Sequence, residues 1–157
     1  MRLSRRLLLK SAGALPLLAG SFGLPLLGWR AQAQTALAAV PPVLFVHGSG
    51  DHAALWITTL WRMESNGVPR DRMLAISFTD PLARTDDKVE QANRSSTEDQ
   101  RRELGEAVKE LQRRTGASRI ALVGNSRGGY SIRNYIKNGC GADISHAVLR
   151  CPKPRHL

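Results

Sequence analysis

From residue 43 onward, apolar positions come in two alternating patterns: short unbroken runs, and longer stretches where apolar residues recur every three or four positions. Val43-Leu44-Phe45-Val46, Met73-Leu74-Ala75-Ile76-Ser77-Phe78, Ile120-Ala121-Leu122-Val123 and His146-Ala147-Val148-Leu149 are the runs. All four read as strands, and Val43 to Val46, bounded by proline and glycine, as one buried on both faces. Between the first two, Asp51 is placed to cap a helix carrying Leu55, Trp56, Thr59 and Leu60 on one face. Val68 to Arg72 reads as a turn, and residues 81 to 94, polar and without period, as an exposed loop. Ser95-x-x-Glu98 matches a capping box ahead of Leu104, Ala107, Val108 and Leu111, predicting a helix to about Thr115 that Gly116 stops. A third helix runs from Arg127 to about Asn138, with Ile132, Tyr135 and Ile136 inward and Gly139 and Gly141 at its end. Strands and helices therefore alternate. That order predicts an α/β fold in which a parallel sheet carries helices on both faces.

The first 42 residues belong to another pattern. Ser4-Arg5-Arg6-Leu7-Leu8-Leu9-Lys10 precedes a moderately apolar stretch from Ser11 to Gly28 and an Ala31-Gln32-Ala33 cleavage-type site. This resembles a twin-arginine export signal over residues 1–33, which implies a twin-arginine translocase as partner and a periplasmic or secreted mature protein. Gly13, Pro16, Gly20, Gly23 and Pro25 weaken the stretch as a spanning helix, so no stable membrane span is expected after cleavage. Residues 34–42 form an alanine-rich connector ending in Pro41-Pro42, and 43–157 remain as one domain.

Charge changes the picture less than its size implies. Half of the formal net charge of +10 sits in the leader, on Arg2, Arg5, Arg6, Lys10 and Arg30 without an acid. Arg150, Lys153 and Arg155 crowd the last residues, and no basic stripe interleaved with aromatics lies between. Nucleic-acid binding is not indicated. Cys140 and Cys151 have no C-x-x-C or Cys/His spacing, so no metal or other cofactor is expected; export permits a disulfide between them, and their spacing does not demand one.

The candidate chemistry lies where two of these strands end. Gly124-Asn125-Ser126-Arg127-Gly128 fits G-x-S-x-G between a strand and a helix, the setting of a nucleophile elbow. There the serine sits in a strained conformation at the strand's carboxyl end, and glycines two before and two after it prevent clashes. His47-Gly48-Ser49-Gly50 follows the first strand, and in an open α/β sheet both loops converge on one crevice. Acyl transfer needs a nucleophile and two donors for the oxyanion; the backbone N–H groups of Ser49 and Arg127 are the expected pair.

These residues, with Val43 to Gly48, Ile120 to Gly129 and the spacing between them, resemble the α/β-hydrolase superfamily, in particular its lipase-like and esterase-like bacterial members. The resemblance covers roughly Val43 to Leu149. It implies Ser126 as nucleophile, His47 and Gly48 as the ordering pair of the oxyanion loop, and cleavage of a small-molecule carboxylic ester or related acyl bond through a serine acyl-enzyme. Lipases of this kind carry histidine before the serine and an apolar residue after it; Asn125 and Arg127 stand here and leave the substrate class open.

The family's base and acid follow the serine in the order Ser, Asp or Glu, His. After Ser126 the candidates are Asp143, His146 and His156; the first reads as a turn residue, the second as a strand residue and the third as part of a basic tail. His52 reads as a helix-start residue, and Asp51 and Asp80 as cap and turn residues. A complete triad is not visible, and the expectation is a hydrolase domain that ends early, lacking its last strands. Two readings follow: an exported serine hydrolase, or a non-catalytic fragment of one.

Overall fold

The computed structural model describes residues 40–150. The leader, most of the connector, Cys151 and His156 lie outside the described residues. Four parallel strands make the main sheet: β1 (Val43–Val46), β2 (Met73–Ile76), β5 (Ile120–Asn125) and β6 (Ile144–Arg150), in the order β2-β1-β5-β6. In register, Val43 lies between Met73 and Ala121, and Val46 between Ile76 and Gly124. The chain leaves β1 toward one side and returns to its other side as β5. The carboxyl ends of β1 and β5 thus meet at the point where the winding reverses, which is where open α/β sheets form sites.

Alternation along β1 divides its side chains between two layers. Leu44 and Val46 pack with Leu104, Val108 and Leu111 of α2 (Thr97–Thr115) and with Ile132 and Tyr135 of α3 (Arg127–Asn138). Val43 and Phe45 face the other way, toward Leu60 of α1 (Ile57–Ser65) and Met73. Phe45 and Leu44 are almost fully buried, and burying such a side chain contributes about 1.5–3 kcal/mol. This is the parallel α/β sheet with helices on both faces that the alternating pattern predicts.

Several local expectations shift. The capping box is formed by Ser96 and Asp99 instead of Ser95 and Glu98: Ser96 Oγ accepts from Asp99 N–H, and the Asp99 carboxylate accepts from Ser96 N–H. Ser95 cannot serve, because it pairs with Ala83 as extended backbone. Residues 81–94 are not featureless; β3 (Leu82–Ala83) and β4 (Arg94–Ser95) form a small parallel ribbon. His52, not Asp51, caps the next element, its Nδ1 accepting from Ala54 N–H. That element opens as a 3-10 turn (Ala53–Trp56), whose tighter winding turns Leu55 to solvent while Leu60 stays buried. Ile136 is likewise exposed, lying past the face of α3 that holds Ile132 and Tyr135. Gly116 ends α2 as expected, at φ +67°, with its N–H on Gln112 O at 2.8 Å.

Candidate active site

Ser126 is held at φ 52° and ψ −119°, between the last residue of β5 and the first of α3. Asn93 is the other described non-glycine residue at positive φ, but asparagine tolerates that region; serine at this ψ lies outside the left-handed basin altogether. Such a conformation costs of order 1–3 kcal/mol and persists only where its surroundings impose it. They do so through two glycines. A β-carbon on Gly124 would lie 2.6 Å from Ile132 Cδ1 and 2.9 Å from the Gly128 backbone, and one on Gly128 would lie 2.5 Å from His47 O. With both β-carbons absent, α3 starts directly against the end of β1.

His47 is buried, and both its ring nitrogens are occupied. Nε2 accepts from Phe78 N–H at 3.1 Å, so the proton resides on Nδ1, which donates to Gly48 O at 2.7 Å. The imidazole therefore ties the loop after β1 to the end of β2. It has no nitrogen left to act as a base for Ser126. Gly48 lies against the serine, and Ser49 beyond it is exposed, its Oγ accepting from Ala83 N–H at 3.3 Å. Neither Ser49 N–H nor Arg127 N–H donates a hydrogen bond among the described residues, while Gly129 N–H closes the first turn of α3 on Ser126 O at 3.0 Å.

The Arg127 side chain turns away from the serine. Its Nε donates to Gln100 Oε1 at 3.1 Å and an Nη to Ser95 O at 3.0 Å. Burial lowers the guanidinium below its ordinary value, with the charge of Asp87 opposing that shift. Gln100 is 1% exposed and also accepts from Ser131 Oγ at 2.5 Å. Sequence reasoning missed this buried polar cluster. The available signal was spacing: Gln100 continues the Leu104, Val108, Leu111 stripe by one turn, a polar residue in an apolar register.

An apolar groove of about 310 Å³ runs beside the elbow, lined by Leu55, Trp56, Thr59, Val123, Asn125 and Val148. Of the candidate partners for Ser126, His146 is exposed on β6, Asp143 sits in the 3-10 turn before it, and His52 is engaged as a cap. No histidine or carboxylate among the described residues hydrogen-bonds Ser126. Nor does any group of three or more His, Cys, Asp or Glu side chains there suit a metal ion.

A family model described as lipase (class 2) matches residues 40–150, most of the chain. The chain belongs to the class 2 lipase family. No curated protein matches this family member. Among solved structures, phospholipase PlaB from Legionella pneumophila, in complex with thio-NAD, superposes with a TM-score of 0.50 at 21% identity. The match covers 68% of this lipase-family chain and 24% of that one. The product of gene lin2722 from Listeria innocua is similar with a TM-score of 0.47 at 19% identity, over 71% of this chain and 49% of that one. The chain thus spans about half of one of these proteins and about a quarter of the other, and the likeness to the phospholipase is one of fold.

Proposed function

We propose that this class 2 lipase family member is a serine hydrolase of carboxylic esters, with Ser126 as nucleophile and the N–H groups of Ser49 and Arg127 as oxyanion donors. The observation that carries the reading is the strained backbone of Ser126 at the elbow, beside two N–H groups free among the described residues. In the reaction Ser126 Oγ attacks the ester carbonyl, the alcohol leaves with a proton, and water releases the acid from the acyl-enzyme. A helix N-terminus behind the carbonyl oxygen favours its developing negative charge. The groove beside Asn125 is apolar and suits the acyl chain of a small-molecule ester.

A second reading is favoured by one observation: the base and acid are not supplied at Ser126 by the described residues. On that reading the chain is a non-catalytic α/β-hydrolase fragment. Hydrolysis of p-nitrophenyl esters from acetate to laurate by the full chain and by Ser126→Ala separates the two. Turnover lost in the variant supports the hydrolase, and equal rates for both support the fragment. Export through the twin-arginine translocase to the periplasm or beyond rests on the Arg5-Arg6 leader alone. Among the described residues no helix is long and apolar enough to cross a membrane.

A further inference from the structure

Residues 81–100 touch both halves of the candidate oxyanion site. On one side Gly50 N–H donates to Pro81 O at 3.0 Å and Ala83 N–H to Ser49 Oγ at 3.3 Å, fixing the loop after β1. On the other, Ser95 O accepts from the Arg127 guanidinium at 3.0 Å, and Ser95 Oγ accepts from Gln100 Nε2 at 3.0 Å. Ala83 and Ser95 are register partners in the β3–β4 ribbon. Arg94 Nη1 on Ala83 O at 2.7 Å and Arg84 Nε on Arg94 O at 3.2 Å close the ribbon from both strands. The two anchor points thus stand side by side, one holding Ser49 and the other holding Arg127.

Gln100 locks this arrangement. Its carbonyl oxygen accepts from Arg127 Nε and Ser131 Oγ, and its amide nitrogen donates to Ser95 Oγ, so one side chain joins α2, α3 and β4. Packing alone would be served by leucine at this point of the apolar stripe. A buried amide instead fixes directions, because each of its polar atoms must find a partner at a set angle.

We propose that the β3–β4 ribbon is a brace that sets the separation of the Ser49 and Arg127 N–H groups, with Gln100 as the positioning residue that locks it. The inference rests on the serine-hydrolase reading for its chemical consequence, and its mechanical part stands apart from that reading. Oxyanion stabilisation depends on donors held before the charge develops, so a loosened brace slows acylation without weakening substrate binding.

The test uses the full chain, its Gln100→Leu, Gln100→Glu and Ser49→Ala variants, and two readouts. The first is ¹⁵N relaxation of the Ser49 and Arg127 amides. In Gln100→Leu both amides lose order, although Gln100 touches only the Arg127 side; Gln100→Glu, which keeps acceptors for Arg127 and Ser131, restores most of it. Should Gln100→Leu not fold, Ser49→Ala carries the same test from the exposed end, loosening Arg127 across the ribbon. The second readout is phosphonylation of Ser126 by a fluorophosphonate, resolved into inactivation rate and inhibition constant. In Gln100→Leu the rate falls at least tenfold while the inhibition constant stays within about twofold. Disorder confined to the altered side overturns the brace, and loosened amides with an unchanged rate overturn the positioning role. If the unaltered chain is not labelled at all, the nucleophile reading fails and the relaxation data alone decide the brace.

Discussion

A β-carbon placed on Gly48 would lie 3.2 Å from Ser126 Cβ, so the loop after β1 and the elbow after β5 close on one another at the mouth of the site. At this distance the neighbour must yield by a few tenths of an ångström, and the neighbour is the proposed nucleophile. Gly48→Ala is therefore expected to cut the phosphonylation rate of Ser126 by about tenfold, since small misplacements at a reacting centre have large kinetic effects. Its stability should fall by less than about 1 kcal/mol, because serine can shift toward solvent. An unchanged rate would show that the two loops do not constrain each other.

The glycines of the elbow separate two physical effects. Gly128→Ala brings a β-carbon to 2.5 Å from His47 O and 2.6 Å from Val46 O, both backbone atoms that move only with β1. The expected loss is about 3 kcal/mol, the upper range for overpacking. Gly116→Ala meets nothing within 4 Å and bears only its left-handed φ of +67°, which costs about 1 kcal/mol. Urea denaturation midpoints for the two variants should differ in that order, and the reverse order would contradict the packing account.

Tyr135 predicts an alkaline limb of stability. Burial first, and then the charge of Asp143, push its hydroxyl from 10.0 up to about 12. The folded state thus holds the proton more tightly than the unfolded chain. Its contribution is complete below about pH 10 and is lost as pH rises toward about 12. Among the described residues its buried hydroxyl has no hydrogen-bond partner. Tyr135→Phe should leave stability at pH 7 within about 1 kcal/mol and flatten the decline above pH 10. Thermal melts of both chains from pH 7 to 11 measure this, and parallel pH curves would contradict it.

How much of this was legible in the sequence depended on whether the deciding contact was local. The four main strands announced themselves as short apolar runs, most plainly Val43–Val46, which is buried on both faces and so has to be apolar throughout. The elbow was legible because its steric demands fall on Gly124 and Gly128, residues adjacent to the serine. The shift of the capping box from Ser95 to Ser96 was not, since it depends on Ser95 pairing with Ala83, twelve residues earlier in the chain. Arg127 was read as a departure bearing on substrate. Its partners, Ser95 and Gln100, lie far back in the chain, and only the fold reveals that it faces them.

The central claim is that the elbow holds Ser126 as a reactive nucleophile. Its most direct test is intact-protein mass spectrometry of the full chain and of Ser126→Ala after exposure to a fluorophosphonate. One phosphonyl adduct on the unaltered chain, mapped to Ser126 and missing from the variant, is the predicted result. No adduct on either, or equal adducts on both, would contradict it.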